Sequence, residues 1–174
     1  PQLTLFPYTT LFRSMNEDIH LGELSMGQKK KAFMCFALAT NTSLLVMDEP
    51  SNGLDIPSKS QFRKVIASGM TDEKSVIIST HQVRDIDSLL DHVVIIDGTR
   101  VLLNESVKTI CEKLYFVEQG MNESTDTALY VQPSVQGNSV IFPNTYNEET
   151  NLNLEVLFNA MLTEREKMQF LFNK

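Results

Sequence analysis

Leu24-Ser25-Met26-Gly27-Gln28, Leu44-Leu45-Val46-Met47-Asp48-Glu49-Pro50, Ser51-Asn52-Gly53-Leu54-Asp55 and Val76-Ile77-Ile78-Ser79-Thr80-His81 are the segments whose order and spacing decide the fold. Ser25 followed by Gln28 is the pattern of a capping box, in which the two side chains satisfy each other's unpaired backbone donors. It predicts a helix over about Met26 to Ala39, with Phe33, Phe36, Ala37 and Leu38 among its buried positions. Leu44 to Met47 is apolar without alternation, the pattern of a strand covered on both faces in a parallel sheet. Asp48 and Glu49 then stand at the C-terminal end of that strand, where open α/β sheets place their ligands. Ser51 to Asp55 is a turn in which Gly53 is free to take a positive φ. Asp55 is a candidate cap for a helix beginning near Pro57, ending at Gly69 and carrying Phe62, Val65 and Ile66 inward. Lys74 to Ser79 is a second, β-branched strand. It puts His81 on the same edge as Asp48 and Glu49.

Together these segments resemble the ATP-binding cassette (ABC) ATPase, the motor subunit of a transporter. They correspond to its signature loop, its Walker B strand with the adjacent glutamate, its D-loop and its switch histidine. The resemblance implies ATP and Mg2+ as cofactors. It implies that Asp48 is the magnesium-side residue, acting through water because that ion keeps much of its hydration. Glu49 would be the base that polarises the attacking water, and His81 would donate to the γ-phosphate and help orient that water. Ser25, Gly27 and Gln28 would contact the γ-phosphate of ATP held by the opposite subunit. Asp55 would cap its own helix and also couple the two ATP sites. Met26 departs from the glycine more usual in the family's signature. Each feature has a plainer reading when taken alone: an ordinary capped helix with a solvated basic face, or a helix cap beside a surface charge. His20 and His92 receive only the plain reading, as structural or exposed histidines.

The family's nucleotide site opens with G-x-x-x-x-G-K-[ST], whose backbone N–H groups and lysine cradle the phosphates. None of the 7 glycines here starts that pattern. The expectation is therefore a C-terminal part of a cassette without its Walker A region, inactive and poorly soluble alone, with an open sheet edge and an uncovered apolar face. Ser25 is expected to lie far from Asp48, Glu49 and His81, because its ATP belongs to the other subunit. Thr4 to Ser14 resembles a translated sequencing-adapter oligonucleotide, which would make residues 1–14 a non-native segment. The alternative there is an apolar N-terminal strand.

The net charge of −7 argues against a nucleic-acid binder, since neutralising phosphates needs clustered Lys and Arg, and Lys29-Lys30-Lys31 is too short a cluster. Cys35 and Cys111 have no metal-type spacing and suit a reducing compartment. No apolar run approaches the roughly 18–20 residues of a membrane span. Any membrane link must therefore come through a partner, and the resemblance implies a second ATP-binding subunit and a transmembrane permease subunit, with the chain cytoplasmic and peripheral to the inner face of the membrane.

Beyond His81, residues Val83 to Leu90 read as a helix. His92 to Ile96 and Thr99 to Asn104 form a hairpin around Asp97-Gly98, and Ser106 caps a short helix within Glu105 to Leu114. Leu129 to Gln132 and Ser139 to Phe142 read as strands. Asn151 or Asn153 caps a last helix with Leu154, Leu157, Phe158, Met161 and Leu162 on one face. The fold class is α/β: a partial P-loop NTPase with a mainly parallel sheet, a terminal β-hairpin and a small C-terminal α+β extension. Its expected parts are residues 15–114, a partial ABC ATPase domain, and 115–174, an accessory extension that packs on the core or on a sister subunit. The expected function is ATP hydrolysis energising solute transport. The alternative is a soluble, non-transport ABC-type ATPase of DNA repair or the ribosome.

Overall fold

The computed structural model describes residues 20–135 and 137–172. The adapter-like segment, residues 4–14, lies outside them. The chain divides into two compact units that meet between Leu89 and Leu90.

The described part of the first unit starts with a 3-10 turn, Leu21–Glu23, and continues into α1, Met26–Ala39. The capping box forms as the sequence predicts. Ser25 Oγ accepts from the Gln28 N–H at 3.3 Å, and Gln28 Oε1 accepts from the Ser25 N–H at 2.9 Å. Strand β1, Leu44–Asp48, leads through a turn into α2, Ile56–Gly69, whose N-cap is Asp55. Strand β2, Ser75–Ser79, pairs with β1 in parallel, with Leu44 opposite Ser75 and Asp48 opposite Ser79.

Both helices cover one face of this pair. Met34, Cys35 and Leu38 of α1 join Met47, Leu54 and Phe62, Val65 and Ile66 of α2 in one apolar cluster, with Leu45, Val76 and Ile78 packed against it. The phase of α1 differs from expectation: Phe36 is 71% exposed and Phe33 is exposed as well. Residues 32–39 are apolar on every side, so periodicity carries no information about which face turns inward. The opposite face of the strand pair carries Leu44, Val46 and Ile77, all exposed, Val46 by 65%. Cover on both faces is thus not observed; among the described residues the uncovered apolar face is. Cys35 lies in the packed interior, where burial pushes its thiol up to about 12. Neither cysteine forms a disulfide.

The segment after His81 folds as two 3-10 turns, Val83–Asp85 and Asp87–Leu89, instead of the expected helix over Val83 to Leu90. Eight residues are too few for a helix to persist on propensity alone, and tertiary contacts decide their conformation.

The second unit opens with a hairpin of β3, His92–Asp97, and β4, Arg100–Ser106. Gly98 turns it with φ 57°, and a register shift falls between Ile95 and Ile96. The hairpin is a two-stranded sheet of its own, and β1 and β2 form another. One mainly parallel sheet ending in the hairpin is therefore not assembled from these strands. Helix α3, Val107–Lys113, is capped by Ser106 and passes directly into β5, Leu114–Gln119, a strand that propensity did not reveal. Strands β6, Tyr130–Ser134, and β7, Gly137–Pro143, complete an antiparallel sheet in the order β5-β7-β6. Asn153 caps α4, Leu154–Thr163, and α5, Arg165–Phe172, follows. Leu154, Leu157 and Met161 are buried as expected, while Phe158 and Leu162 lie at the partly exposed rim. The hairpin and α3 thus cluster with the C-terminal segment, although the expected domain division stands at 114/115.

Candidate active site

Parallel pairing with Asp48 opposite Ser79 ends β1 and β2 at the same level. The residues that follow each strand therefore meet at one rim. The Ser79 hydroxyl donates to Asp48 Oδ1. Glu49 breaks the strand with φ 45°, in the left-handed region that a residue with a Cβ rarely adopts. Its N–H still donates to the Ser79 carbonyl at 2.8 Å, so the reversal begins while the strands remain paired.

This turn brings the Glu49 carboxylate onto the segment after β2. The Thr80 hydroxyl donates to Oε2 at 3.0 Å, and the His81 N–H donates to Oε1 at 2.9 Å. His81 Nδ1 lies 2.5 Å from the same Oε1. Burial raises the affinity of the Glu49 carboxyl for a proton, but the bonds from His81 and Thr80 together outweigh it and hold the group below its ordinary value. Glu49 is 27% exposed and the His81 side chain 69%, so the carboxylate is held from within while the imidazole reaches solvent.

Two lysines of α1 reach the turn after Glu49. Lys30 Nζ donates to the Glu49 carbonyl and, at 3.0 Å, to that of Asn52. Lys31 Nζ stands 4.0 Å from Asp55 Oδ1. Asp55 itself accepts from the Ser58 N–H at 3.0 Å, and hydrogen bonding from the Ser58 side chain and then from that N–H, with a smaller contribution from Lys31, lowers its carboxyl pKa. On the far side, Lys59 Nζ donates to Gln82 Oε1 at 3.0 Å.

The structure thus brings Asp48, Glu49 and His81 to one rim. Ser25 and Gln28 remain engaged in their own cap. A Cβ placed on Gly27 would stand 3.5 Å from the Gly53 carbonyl, so the start of α1 neighbours the 51–55 turn. The residues that sequence reasoning left without a role are Ser79, Thr80 and Lys30. Ser79 and Thr80 carry a legible signal, two hydroxyls at a strand's C-terminal end. Lys30 carries none, since its partners are backbone carbonyls.

No protein-family model matches the chain. Among solved structures, a protein assigned to cobalt transport, the ATP-binding protein cbiO-2, aligns with a TM-score of 0.53 at 16% identity, covering 90% of this chain and 59% of that one. The chain accordingly shares the mixed α/β fold of part of that protein. Over about half its length the chain is homologous to ATP-binding proteins of ABC transporters. It is 32% identical over 93 residues to the chelated iron transport system membrane protein YfeB of Yersinia pestis, covering 53% of this chain and 31% of that protein. It is 29% identical over 96 residues to the manganese transport system ATP-binding protein MntA of Synechocystis, covering 55% and 37% respectively. A third relative is the energy-coupling factor transporter ATP-binding protein EcfA2 of Mycoplasmoides gallisepticum, 32% identical over 85 residues, covering 49% and 27%. The chain spans about a third of the length of such relatives.

Proposed function

We propose that residues 20–114 carry part of the nucleotide-binding subunit of an ABC transporter, which hydrolyses ATP to energise solute movement across a membrane. The observation that carries this reading is the Glu49 carboxylate, held at the common end of two parallel strands by Thr80 and by both the N–H and the ring of His81. Relatives named for transport support it over a soluble DNA-repair or ribosomal ATPase.

The donors at the rim fit part of the implied ligand set. Asp48 is exposed at the strand end and already bonded by Ser79, an arrangement suited to holding Mg2+ through water. Among the described residues no group of three or more His, Cys, Asp or Glu side chains could hold a metal ion directly. The phosphate-cradling loop is not in the sequence, so the grip on ATP must come from outside these residues. When bound, ATP supplies the γ-phosphoryl group and Mg2+ offsets charge on its oxygens.

Glu49 stays ionised at neutral pH because its carboxyl pKa is lowered. It serves to orient and polarise water more than to capture a proton strongly, since efficient general bases have values near the working pH. An ionised Glu49 requires His81 to carry its proton on Nδ1. Donation from Nε2 toward a phosphate then needs the imidazolium form. Ser25, Gly27 and Gln28 are assigned to the partner's ATP, and Asp55 to capping its own helix and coupling the two ATP sites, across a dimer of ATP-binding subunits. A transmembrane permease completes the assembly, with this chain on the cytoplasmic face. No described helix is long and apolar enough to cross a membrane, which supports a partner in that role.

The test is Mg2+-dependent ATP turnover by the chain alone and by the chain joined to a polypeptide that supplies a G-x-x-x-x-G-K-[ST] loop. Alone it should show none. The joined protein should hydrolyse ATP, and Glu49→Gln should retain bound ATP while turnover falls by about 10²-fold or more. Turnover that survives Glu49→Gln undiminished would overturn the reading.

A further inference from the structure

Lys29, Lys30 and Lys31 sit near the N-terminus of α1, where the helix dipole disfavours positive charge. A solvated basic face would have no preferred partners, yet two of these lysines converge on one turn. Lys31 approaches Asp55 at its end, and Lys30 spans its beginning, donating to the carbonyls of Glu49 and Asn52. The Asn52 N–H also donates to the Glu49 carbonyl, at 3.3 Å. One ammonium therefore closes both ends of the four-residue turn whose first residue has the unfavourable φ of 45°. Lys30 is partly buried, so its charge is concentrated on those carbonyls instead of being dispersed in water.

We propose that Lys30 is a positioning residue: by bridging the Glu49 and Asn52 carbonyls it fixes the left-handed backbone that aims the Glu49 carboxylate at Thr80 and His81. The same bridge ties the helix start bearing Ser25, Gly27 and Gln28 to the turn bearing that carboxylate. A displacement of the α1 N-terminus is thereby passed to Glu49 through one side chain. The catalytic meaning rests on the function proposed for Glu49; the positioning itself does not.

The experiment uses the 174-residue chain, isotopically labelled, without nucleotide. It reads by NMR the hydrogen exchange of the His81 amide, the carbonyl ¹³C shifts of Glu49 and Asn52, and the proton on His81 Nδ1. Lys30→Met should speed exchange at the His81 amide about tenfold, the scale expected for losing hydrogen bonds to a charged group. It should also move both carbonyl shifts and remove the hydrogen-bonded Nδ1 signal. Lys30→Arg, which keeps the charge and several donors, should restore all three. Lys74→Met is the control, because Lys74 makes a comparable bond to the Gly69 carbonyl at 3.1 Å away from the rim; it should leave the His81 amide unchanged. Should Lys30→Met not fold, Lys30→Gln is read in its place against Lys30→Arg. Unchanged His81 exchange and carbonyl shifts in Lys30→Met, failure of Lys30→Arg to restore them, or an equal effect from Lys74→Met would each overturn the proposal. A positive result beside turnover that ignores Glu49→Gln would leave Lys30 positioning a carboxylate and remove only its catalytic purpose.

Discussion

His81 Nδ1 lies 2.5 Å from Glu49 Oε1, although 32 residues separate them in the chain. The contact exists because Asp48 and Ser79 are paired in register, so the residue after each strand leaves from the same level. A shift of one residue in that register would send every side chain of β1 to the other face and separate the pair.

Acid titration should expose this contact. The folded-state pKa of Glu49 is depressed, so its pairing contributes stability above the unfolded-state value and loses it as pH falls through the folded one. The stability difference between the natural chain and Glu49→Gln should be constant near neutrality and shrink as pH drops from about 5. Urea unfolding at stepped pH measures it. A difference that grows toward acid would contradict the assigned partners.

At Asp55, two roles separate cleanly by substitution. Its carboxylate accepts from the Ser58 N–H as the cap of α2, and a neutral amide can do the same. Asp55→Asn should therefore keep the melting temperature of the chain, and Asp55→Ala should lower it. Any loss of coupling between ATP sites that appears in both variants reports the carboxylate's charge and not the cap. Thermal melting by circular dichroism distinguishes the first effect before any assay of the second.

The packing phase of α1 predicts a contrast between two phenylalanines. Phe62 is fully buried within the cluster of α1, α2 and the strand pair, and Phe62→Ala should cost about 3–5 kcal/mol. Phe36 is mostly exposed, so Phe36→Ala should change stability by less than about 0.5 kcal/mol. Equilibrium unfolding of the two variants checks both values. Equal losses would restore the inward placing of Phe36 expected from the sequence.

Local chemistry made much of this protein legible in advance. The box of Ser25 and Gln28, the cap at Asp55 and the cap at Ser106 each involve groups three residues apart, so the sequence contains both partners of every bond. Strands β1 and β2 were equally readable, and with them the placing of Asp48, Glu49 and His81 at one edge. The 3-10 turns after His81 and the strand β5 were not, because neither segment carries a pattern that excludes the other conformations.

From the order of its residues alone, this chain has its helix starts, its two parallel strands and the identity of the groups at their common end. Only the folded molecule decided that Met34, Cys35 and Leu38 face inward, that Val46 and Ile77 stay uncovered, and that Thr80 and Lys30 hold Glu49 in place. The difference is one of range. Caps and turns join neighbours, whereas the facing of an all-apolar helix and the grip on a carboxylate depend on surfaces brought together from distant parts of the chain.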